Sequence, residues 1–509
     1  MADTENGPAP AREQRFQRRM SDAEALMWNV EKDPWLNPSG GSFSILDRMP
    51  DVDHLRAQLA VAIVTVPRLM EHVVGGLGRY SPPTWRPDPE FDLDQHLRIS
   101  ALPAPGSMQQ LLDTVTRIYQ DPYDRTRPLW MMHVIGGLEG GRAAWLWKIH
   151  HSVADGTGAA RLSELFIQPT RDAPQPIAVD LRAAITAAVE ADAADPQPSL
   201  VESAVGTATH LARRQAGIAR RVVGEVAMWG ADPQRAVDAV GSAARTVGQL
   251  RDQITGGGGG QSSTDDAESQ LPGGSPLWRS RSRHRHLEVL SFPLDAALAA
   301  SKGLGGSLND WFVTGVVNGG VAYHEARGVP LRTLNTSFVV STRADKAIGG
   351  NSFTPTRFAA PAGPMAPAAR FTLISEAMAE KRAQVSGAGA LSGLAGLANL
   401  LPTSLVTSIA RRQAAGMDFA TSNLRSAKRP YYMSGAEVAE SYAFGPLAGT
   451  AFNITAMSYA GQFGIGLFMD PTAIEDVVGL RDDLEAAYQE LIDLGTGGKR
   501  PARRRRATA

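Results

Sequence analysis

The sequence predicts an α/β (α+β) protein built as two domains. At 509 residues the chain exceeds what one hydrophobic core supports, because single cores stop growing beyond about 250 to 300 residues. Residues 143–151 alternate in character as a strand does, and in the second half of the chain apolar strand patterns alternate with helical patterns. Such interleaving is typical of mixed sheets packed by helices.

The first predicted element is a helix that opens at Ser21. Ser21 and Glu24 form an S-x-x-E capping box, in which each side chain accepts a hydrogen bond from the other residue's backbone N–H. Further along, residues 59–66 form the longest strongly apolar run and stop at Pro67. This run is far shorter than the roughly 20 residues that span a bilayer, so we interpret it as the core of a buried strand or helix.

A helix at residues 108–119 and a strand at 143–151 follow. Successive side chains of a strand point to opposite faces. One face therefore carries Trp145, Trp147, Ile149 and His151, and the other carries Leu146, Lys148 and His150. This pattern places His151 at the end of a strand.

Residues 169–284 differ in character from both flanks. Ala-rich helical patterns at 180–194 and 200–253 are joined by Pro-rich turns and are followed by five consecutive glycines at 256–260. This composition predicts a helical connector with a flexible Gly-rich segment.

Regular patterns resume after the connector. The predicted elements are a strand at 287–292, a helix at 309–323, strands at 338–341, 450–458 and 463–469, and a helix at 473–494. The predicted organisation is a disordered tail at 1–19, an N-terminal domain at 20–168, the connector at 169–284, a C-terminal domain at 285–496 and a basic tail at 497–509.

Composition excludes several classes of function. The formal net charge of -1 provides no overall field to attract nucleic acid, so nucleic acid is not an expected partner. The absence of cysteine excludes disulfides, thiolate metal sites and a cysteine nucleophile. Residues 1–19 contain no apolar segment of the secretory-signal type, so a cytoplasmic location is expected.

The segment H-H-S-V-A-D-G at 150–156 carries the candidate chemistry. A neutral imidazole titrates near physiological pH, so His151 can accept a hydroxyl proton while that oxygen attacks a thioester. Metal binding and purely structural histidines are the alternatives, but neighbouring strand residues face opposite ways and cannot easily share one metal, so no metal is expected. A Ser-His-Asp triad through Asp155 is a further alternative, although Asp155 lies in a Gly-rich turn, where it is better suited to fixing the loop.

The motif and its flanks resemble the bacterial wax ester synthase/diacylglycerol acyltransferases, within the CoA-dependent acyltransferase superfamily. The matching segments are F-D-L-D-Q-H at 91–96, D-R-T-R-P-L-W at 124–130, H-H-S-V-A-D-G at 150–156, L-N-D at 308–310, S-T-R at 341–343 with G-N at 350–351, and S-Y-A-G at 458–461. They occur in the family's order and cover most of the chain outside the connector and tails. The resemblance implies two chloramphenicol-acetyltransferase-like domains with mixed sheets packed by helices and a tunnel between them.

The resemblance also implies a reaction. A fatty acyl group would pass from acyl-CoA to diacylglycerol, giving triacylglycerol, or to a long-chain alcohol, giving wax ester. The transfer would be direct within a ternary complex, with His151 as general base, acyl-CoA as co-substrate and no permanently bound cofactor. His150 would support the loop, and Asn309 would either polarise the thioester carbonyl or serve as a helix cap or packing contact.

Further residues are expected to support this site. Arg343 is the candidate partner of Asp155, Gly156 permits the sharp turn, and Pro128, Leu129 and Trp130 would seat the catalytic strand. Asn423, Ser458 and Tyr459 are candidates for the substrate pocket. Where the family has N-V-P-G-P, residues 423–427 read N-L-R-S-A, so the rigid turn is lost and the substrate preference is expected to differ.

A lipid acceptor resides in a membrane, so a peripheral location at the inner face of the plasma membrane or on lipid bodies is also expected. Residues 385–410, with their leucines, form the candidate docking surface, unless these leucines pack inside the second domain. Arg503 to Arg506 could attract anionic lipid or remain a solvated tail. Two other functions stay open: acylation of a polyketide, glycolipid or short-chain alcohol, and lipid binding with weak activity.

Overall fold

The computed structural model describes residues 17–75, 82–154, 156–194, 274–341, 353–384, 399 and 401–498. Residues Met1–Ala194 and Gly273–Ala509 form one unit, to which all described residues belong, and Asp195–Pro272 form another. The chain is a mixed α/β protein, as predicted.

The helices of the described residues include most of those predicted from the sequence. They are α1 (Asp22–Val30), α2 (Val52–Thr65), α3 (Leu93–His96), α4 (Met108–Gln120), α5 (Gly156–Ser163), α6 (Leu181–Ala194), α7 (Leu294–Gly303), α8 (Leu308–Glu325), α9 (Pro367–Gln384), α10 (Thr403–Ala415) and α11 (Val477–Thr496). The capping box at Ser21 and Glu24 is present at the start of α1. The apolar run at 59–66 is helical up to Thr65, where α2 ends. No helix among the described residues combines the length and apolar character needed to cross a bilayer.

The strands form two large sheets and one hairpin. They are β1 (Ser39–Leu46), β2 (Glu71–Val74), β3 (Thr84–Pro87), β4 (Leu97–Ala101), β5 (Trp130–Leu138), β6 (Arg142–His150), β7 (His286–Pro293), β8 (Thr333–Ser341), β9 (Phe353–Pro361), β10 (Phe419–Arg425), β11 (Tyr432–Met433), β12 (Ala436–Phe444), β13 (Phe452–Tyr459) and β14 (Gln462–Met469).

The first sheet has the order β11-β12-β1-β6-β5-β4, and the second has the order β7-β14-β13-β10-β8-β9. Strands β11 and β12 therefore come from the C-terminal half but complete the N-terminal sheet, with β12 pairing antiparallel to β1. In the second sheet β8, β10 and β13 run parallel to one another. The predicted boundaries at 168 and 285 therefore do not divide the chain so that each part forms one sheet. The predicted domain limits themselves remain a prediction.

The alternation predicted for 143–151 is confirmed in the packing of β6. Trp145, Trp147 and Ile149 lie in a buried cluster that includes Leu55 and Leu59 of α2. Leu146, on the opposite face, lies in a second cluster with residues of β1, α4 and β14. Both faces of β6 are therefore covered, and the strand ends in a fixed position.

The predicted connector at 169–284 is ordered at both ends. Helix α6 packs on β3, and its Asp192 carboxylate lies 2.9 Å from the Arg18 guanidinium and 3.3 Å from that of Arg86. At the other end Trp278 is buried in the core of the second sheet. The folded part of the protein thus extends beyond the predicted domain limits.

Candidate active site

His151 follows the last residue of β6, as the sequence predicts. Residues 151–153 form a turn before α5, which begins at Gly156. The His151 side chain is half-buried and lies beside Gly40 of β1: a Cβ atom built on Gly40 would be 3.5 Å from Nε2 of the imidazole. Because Gly40 has no side chain, β1 places no side-chain atom at this position against the ring. Sequence reasoning gave Gly40 no role.

His150 is fully buried and anchors the turn. Its Nδ1 accepts a hydrogen bond from the backbone N–H of Ser152 at 3.0 Å and lies 2.6 Å from the Ser152 hydroxyl. Burial, followed by the neighbouring His151 and the charges of Arg125 and Lys148, lowers the pKa of His150 well below its ordinary value. The ring is therefore neutral, and because Nδ1 accepts, Nε2 carries the proton.

A buried carboxylate faces that proton. Oε2 of Glu31, at the end of α1, lies 3.5 Å from Nε2 of His150 and accepts a hydrogen bond of 2.9 Å from Arg125. Arg125 also donates to the Trp28 carbonyl, and its guanidinium lies 3.3 Å from the centre of the Trp28 ring. Burial raises the pKa of Glu31, against the opposing charge of Arg125. The sequence contains no signal that links Glu31 to His150.

Lys148 connects strand β6 to the end of helix α4. Its amine donates to the carbonyls of Asp121 and Ile118 at the end of α4, and it lies 4.6 Å from the centre of the Tyr123 ring. Burial lowers the pKa of Lys148 to about 8. A cation at the carboxyl end of a helix is favourable, so this contact fixes α4 against β6.

The residues Pro128, Leu129 and Trp130 are buried beneath the turn. The Leu129 carbonyl accepts the backbone N–H of His150 at 3.0 Å, and the indole N–H of Trp130 donates to the Leu69 carbonyl at 2.7 Å. These bonds connect the segment to the end of β6, and its role in seating the strand stays a prediction.

The downstream candidates lie together at one edge of the second sheet. The parallel strands β8, β10 and β13 all end at this edge, where Arg425 of β10 pairs with Ser458 of β13, whereas the pairing of β10 with β8 stops at Thr421. A cavity of about 170 Å³ opens at this edge, and its lining consists of Asn309, Phe338, Val339, Thr421, Ser422, Asn423 and Arg425. Helix α5, which follows the His151 turn, contacts β10. The contact between α5 and β10 therefore links the turn at His151 to the downstream candidates at the edge of the second sheet.

Asn309 is not the cap of α8. The capping box at this helix consists of Ser307 and Asp310, and Asp310 also accepts from Ser375 and Arg382. The Asn309 side chain lines the cavity instead. Of the alternatives that the sequence left open, the helix cap is wrong.

Tyr459 was a candidate for the substrate pocket, but its surroundings favour a structural role. The side chain is buried, and its hydroxyl donates to the Val438 carbonyl at 2.7 Å and accepts the Tyr431 N–H at 3.1 Å. It thereby joins the end of β13 to β12. Asn423 lies within β10, which extends to Arg425 where the family has its rigid turn.

The predicted pair of Asp155 and Arg343 lies outside the described residues, as do Arg503 to Arg506. Of the loop, the structure describes Gly156 as the first residue of α5. Among the described residues, no three histidine, aspartate or glutamate side chains gather in the manner of a metal site.

Comparison with known proteins identifies the family. The sequence model of the wax ester synthase/diacylglycerol acyltransferase catalytic domain matches residues 20–312, and that of the WS/DGAT C-terminal domain matches residues 349–492. The chain belongs to the wax ester synthase/diacylglycerol acyltransferase family. It is therefore an acyltransferase of the acyl-CoA-dependent type.

Relatives and solved structures agree with this WS/DGAT assignment. A Mycobacterium tuberculosis protein named as a diacylglycerol O-acyltransferase is 29% identical over 504 residues, covering 97% of this chain and 94% of the relative. The wax ester synthase/diacylglycerol acyltransferase of Marinobacter aquaeolei VT8 has a TM-score of 0.59 at 19% identity, covering 94% of this chain and 100% of that one. The first condensation domain of the CDA synthetase has a TM-score of 0.52 at 16% identity, covering 95% and 97%. Both likenesses support the predicted chloramphenicol-acetyltransferase-like fold, with mixed sheets packed by helices.

Proposed function

We propose that this WS/DGAT protein transfers a fatty acyl group from acyl-CoA to diacylglycerol or a long-chain alcohol, with His151 as the general base. The observation that carries the proposal is the position of His151. Its imidazole ends a strand that is covered on both faces, is itself only half-buried, and has the side-chain-free Gly40 beside Nε2.

The reaction then needs no acyl-enzyme. His151 accepts the hydroxyl proton of the acceptor while that oxygen attacks the thioester carbonyl carbon. Collapse of the tetrahedral intermediate breaks the carbon–sulfur bond, and the CoA thiolate receives the proton from His151. The products are the ester and free CoA.

Asn309 is proposed to donate its amide N–H to the oxyanion, since such donors are worth about 3 to 4 kcal/mol in acyl transfer. Its side chain lies in the cavity at the edge that α5 borders. His150 is proposed to hold the turn, and Asp155 to pair with Arg343. Asn423 and Ser458 lie at the same edge and remain proposed pocket residues.

Meeting such an acceptor requires a lipid surface, and we propose peripheral binding there. Part of the candidate docking surface at 385–410 lies outside the described residues. In the described part, Leu405, Val406 and Ile409 of α10 are half-buried, and α10 packs against α1. This packing covers part of α10.

The test uses the full chain and the His151→Ala variant with labelled palmitoyl-CoA. Diacylglycerol and hexadecanol are supplied in vesicles, and a short-chain alcohol and a glycolipid serve as further acceptors. We expect release of CoA that depends on diacylglycerol or hexadecanol, a loss of about 10² to 10⁴ in rate for His151→Ala, and sedimentation of the protein with the vesicles.

Other outcomes reject parts of the proposal. CoA release that depends only on the short-chain alcohol or glycolipid would favour the alternative acceptors. Turnover that is equal in both chains would remove His151 from the mechanism, and binding of vesicles without turnover would favour a lipid-binding protein. Protein that stays in the supernatant would argue against docking.

A further inference from the structure

Lys148 is a buried cation two residues before His150, on the same face of β6. Only 1% of its surface is exposed to solvent. Lysine is almost never buried to this extent unless its charge is compensated, because taking an ammonium out of water is costly. Within the described residues its amine forms no ion pair with a carboxylate and is bound by main-chain carbonyls instead. The contacts of the amine therefore point to the role of this charge.

The end of α4 compensates the charge of Lys148. The amine donates to the carbonyls of Ile118, at 3.3 Å, and Asp121. The last carbonyls of a helix have no partner within the helix and carry the negative end of its dipole, so they can take the place of a carboxylate. The amine also lies 4.6 Å from the centre of the Tyr123 ring and 5.8 Å from that of Tyr119, within the range of cation–π contacts. The lysine therefore fixes the end of α4 by its charge.

The end of α4 in turn contacts the strand beside the catalytic turn. The buried Tyr119 donates its hydroxyl to the carbonyl of Ser39, the first residue of β1. Ser39 pairs with His150 in the sheet, and the next residue, Gly40, lies against the imidazole of His151. A continuous set of contacts therefore connects the end of α4 to both histidines.

The ionisable groups around the amine come from several elements. They are Tyr119 and Asp121 at the end of α4, Tyr123 and Arg125 in the segment after it, Glu31 after α1, His150 on β6, and Arg285, whose charge acts on Tyr119. Burial lowers the pKa of Lys148 to about 8, against the attraction of Asp121 and Glu31. The amine is therefore mostly charged at neutral pH and mostly neutral at about pH 9.

We infer that Lys148 is a positioning residue that acts through the end of α4 on the place of His151. The amine fixes the end of α4, the Tyr119 hydroxyl connects α4 to β1, and β1 borders the imidazole. This inference rests on the proposed role of His151 as general base. A fully buried side chain touches neither substrate, so the loss of Lys148 should affect kcat and not KM.

The experiment uses the full chain and Lys148→Met, which keeps the length and the apolar stem of the side chain but removes the charge. Lys302→Met, at an exposed lysine of α7, is the matched control. At about pH 7 with palmitoyl-CoA and diacylglycerol, we expect Lys148→Met to lower kcat about tenfold, because a small displacement of the base is costly for proton transfer. The KM of both substrates should stay within about twofold, and the control should behave as the unmodified chain does.

The pH profile separates positioning by charge from a merely structural role. The neutral amine present at high pH no longer compensates the carbonyls at the end of α4, so the unmodified chain should then resemble Lys148→Met. We expect the ratio of the two kcat values to fall from about tenfold at about pH 7 to nearly one at about pH 9.5, with its midpoint near the pKa of the lysine. A ratio that does not change with pH would overturn the inference, as would a raised KM with unchanged kcat.

Tyr119→Phe interrupts the same route at its other end. The double variant with Lys148→Met should lose no more kcat than the more affected single variant, because both changes act on one route. Losses that multiply would mean that the two residues act independently, which also overturns the inference. If Lys148→Met unfolds at a lower temperature than the assay, Tyr119→Phe and the pH profile of the unmodified chain still test the route.

NMR of the histidine rings separates a failure of this inference from a failure of the proposed function. The His151 ring signals are identified by their absence from His151→Ala, and they require no turnover. We expect them to shift or broaden in Lys148→Met but not in Lys302→Met. Unchanged His151 signals would reject the positioning role even in an active enzyme, whereas equal turnover in His151→Ala would reject the proposed base.

Discussion

The two adjacent histidines differ in how deeply their side chains are buried. His150 is sealed in the protein with Nδ1 committed to Ser152, so its tautomer and orientation are fixed. His151 is half-buried and lies beside Gly40. The proposed mechanism requires a reachable proton acceptor with a rigid neighbour, and the difference in burial between the two rings supports that proposal.

Glu31 faces His150, so a substitution of Glu31 tests whether the fixed position of His150 matters for the reaction. We expect Glu31→Gln to lower kcat about tenfold with little change in KM, because the amide keeps the shape but weakens the acceptor that faces His150 and leaves Arg125 without a full counter-charge. Steady-state kinetics with palmitoyl-CoA would measure the effect. Glu139→Gln, at an exposed turn residue, is the control, and equal kcat values for the two variants would show that Glu31 does not position the base.

At the scale of elements, close contact between the two sheets depends on small residues of β14. A Cβ atom on Gly464 would lie 2.5 Å from the Ser441 carbonyl oxygen, and one on Gly466 would lie 2.2 Å from that of Ala443. Both carbonyls belong to β12, which crosses into the first sheet. The glycines therefore let the C-terminal sheet approach the N-terminal one.

Tyr459 adds polar contacts between the same two sheets. We expect Tyr459→Phe to reduce the free energy of unfolding by about 1 to 3 kcal/mol, because it leaves the buried Val438 carbonyl and Tyr431 N–H without the hydroxyl that they share. Urea unfolding would measure the loss, with Tyr432→Phe at a half-buried tyrosine as control. Equal stability of the two variants would remove Tyr459 from the interface between the sheets.

Local patterns explain which of these elements the sequence predicts. The alternation at 143–151 and the capping box at Ser21 depend on neighbours in the chain, and both are confirmed. The addition of β12 to the first sheet and the meeting of Glu31 with His150 depend on contacts between distant residues, for which one sequence contains no signal. The candidate residues at the edge of β10 are predicted only because their segments resemble a known family. The contact between β10 and α5 is visible only in the structure.

At the scale of the whole molecule, buried histidines connect stability to pH. Burial lowers the pKa of His150, of His96 beneath Trp130 and of His324 in the second core. His324 is held by the Gly320 carbonyl and the Ser275 hydroxyl. Both halves of the protein therefore contain histidines that are easier to protonate after unfolding.

The free energy of unfolding should consequently fall as the pH drops below about 6.5, because the unfolded chain then binds more protons than the folded one. His150 should contribute to this loss, since burial holds its pKa in the folded protein well below the ordinary value. Urea unfolding at about pH 8 and about pH 5.5 would show a smaller loss for His150→Gln than for the unmodified chain, although the variant begins less stable. An equal loss in the unmodified chain and in His150→Gln would mean that His150 is already protonated in the folded protein at the lower pH.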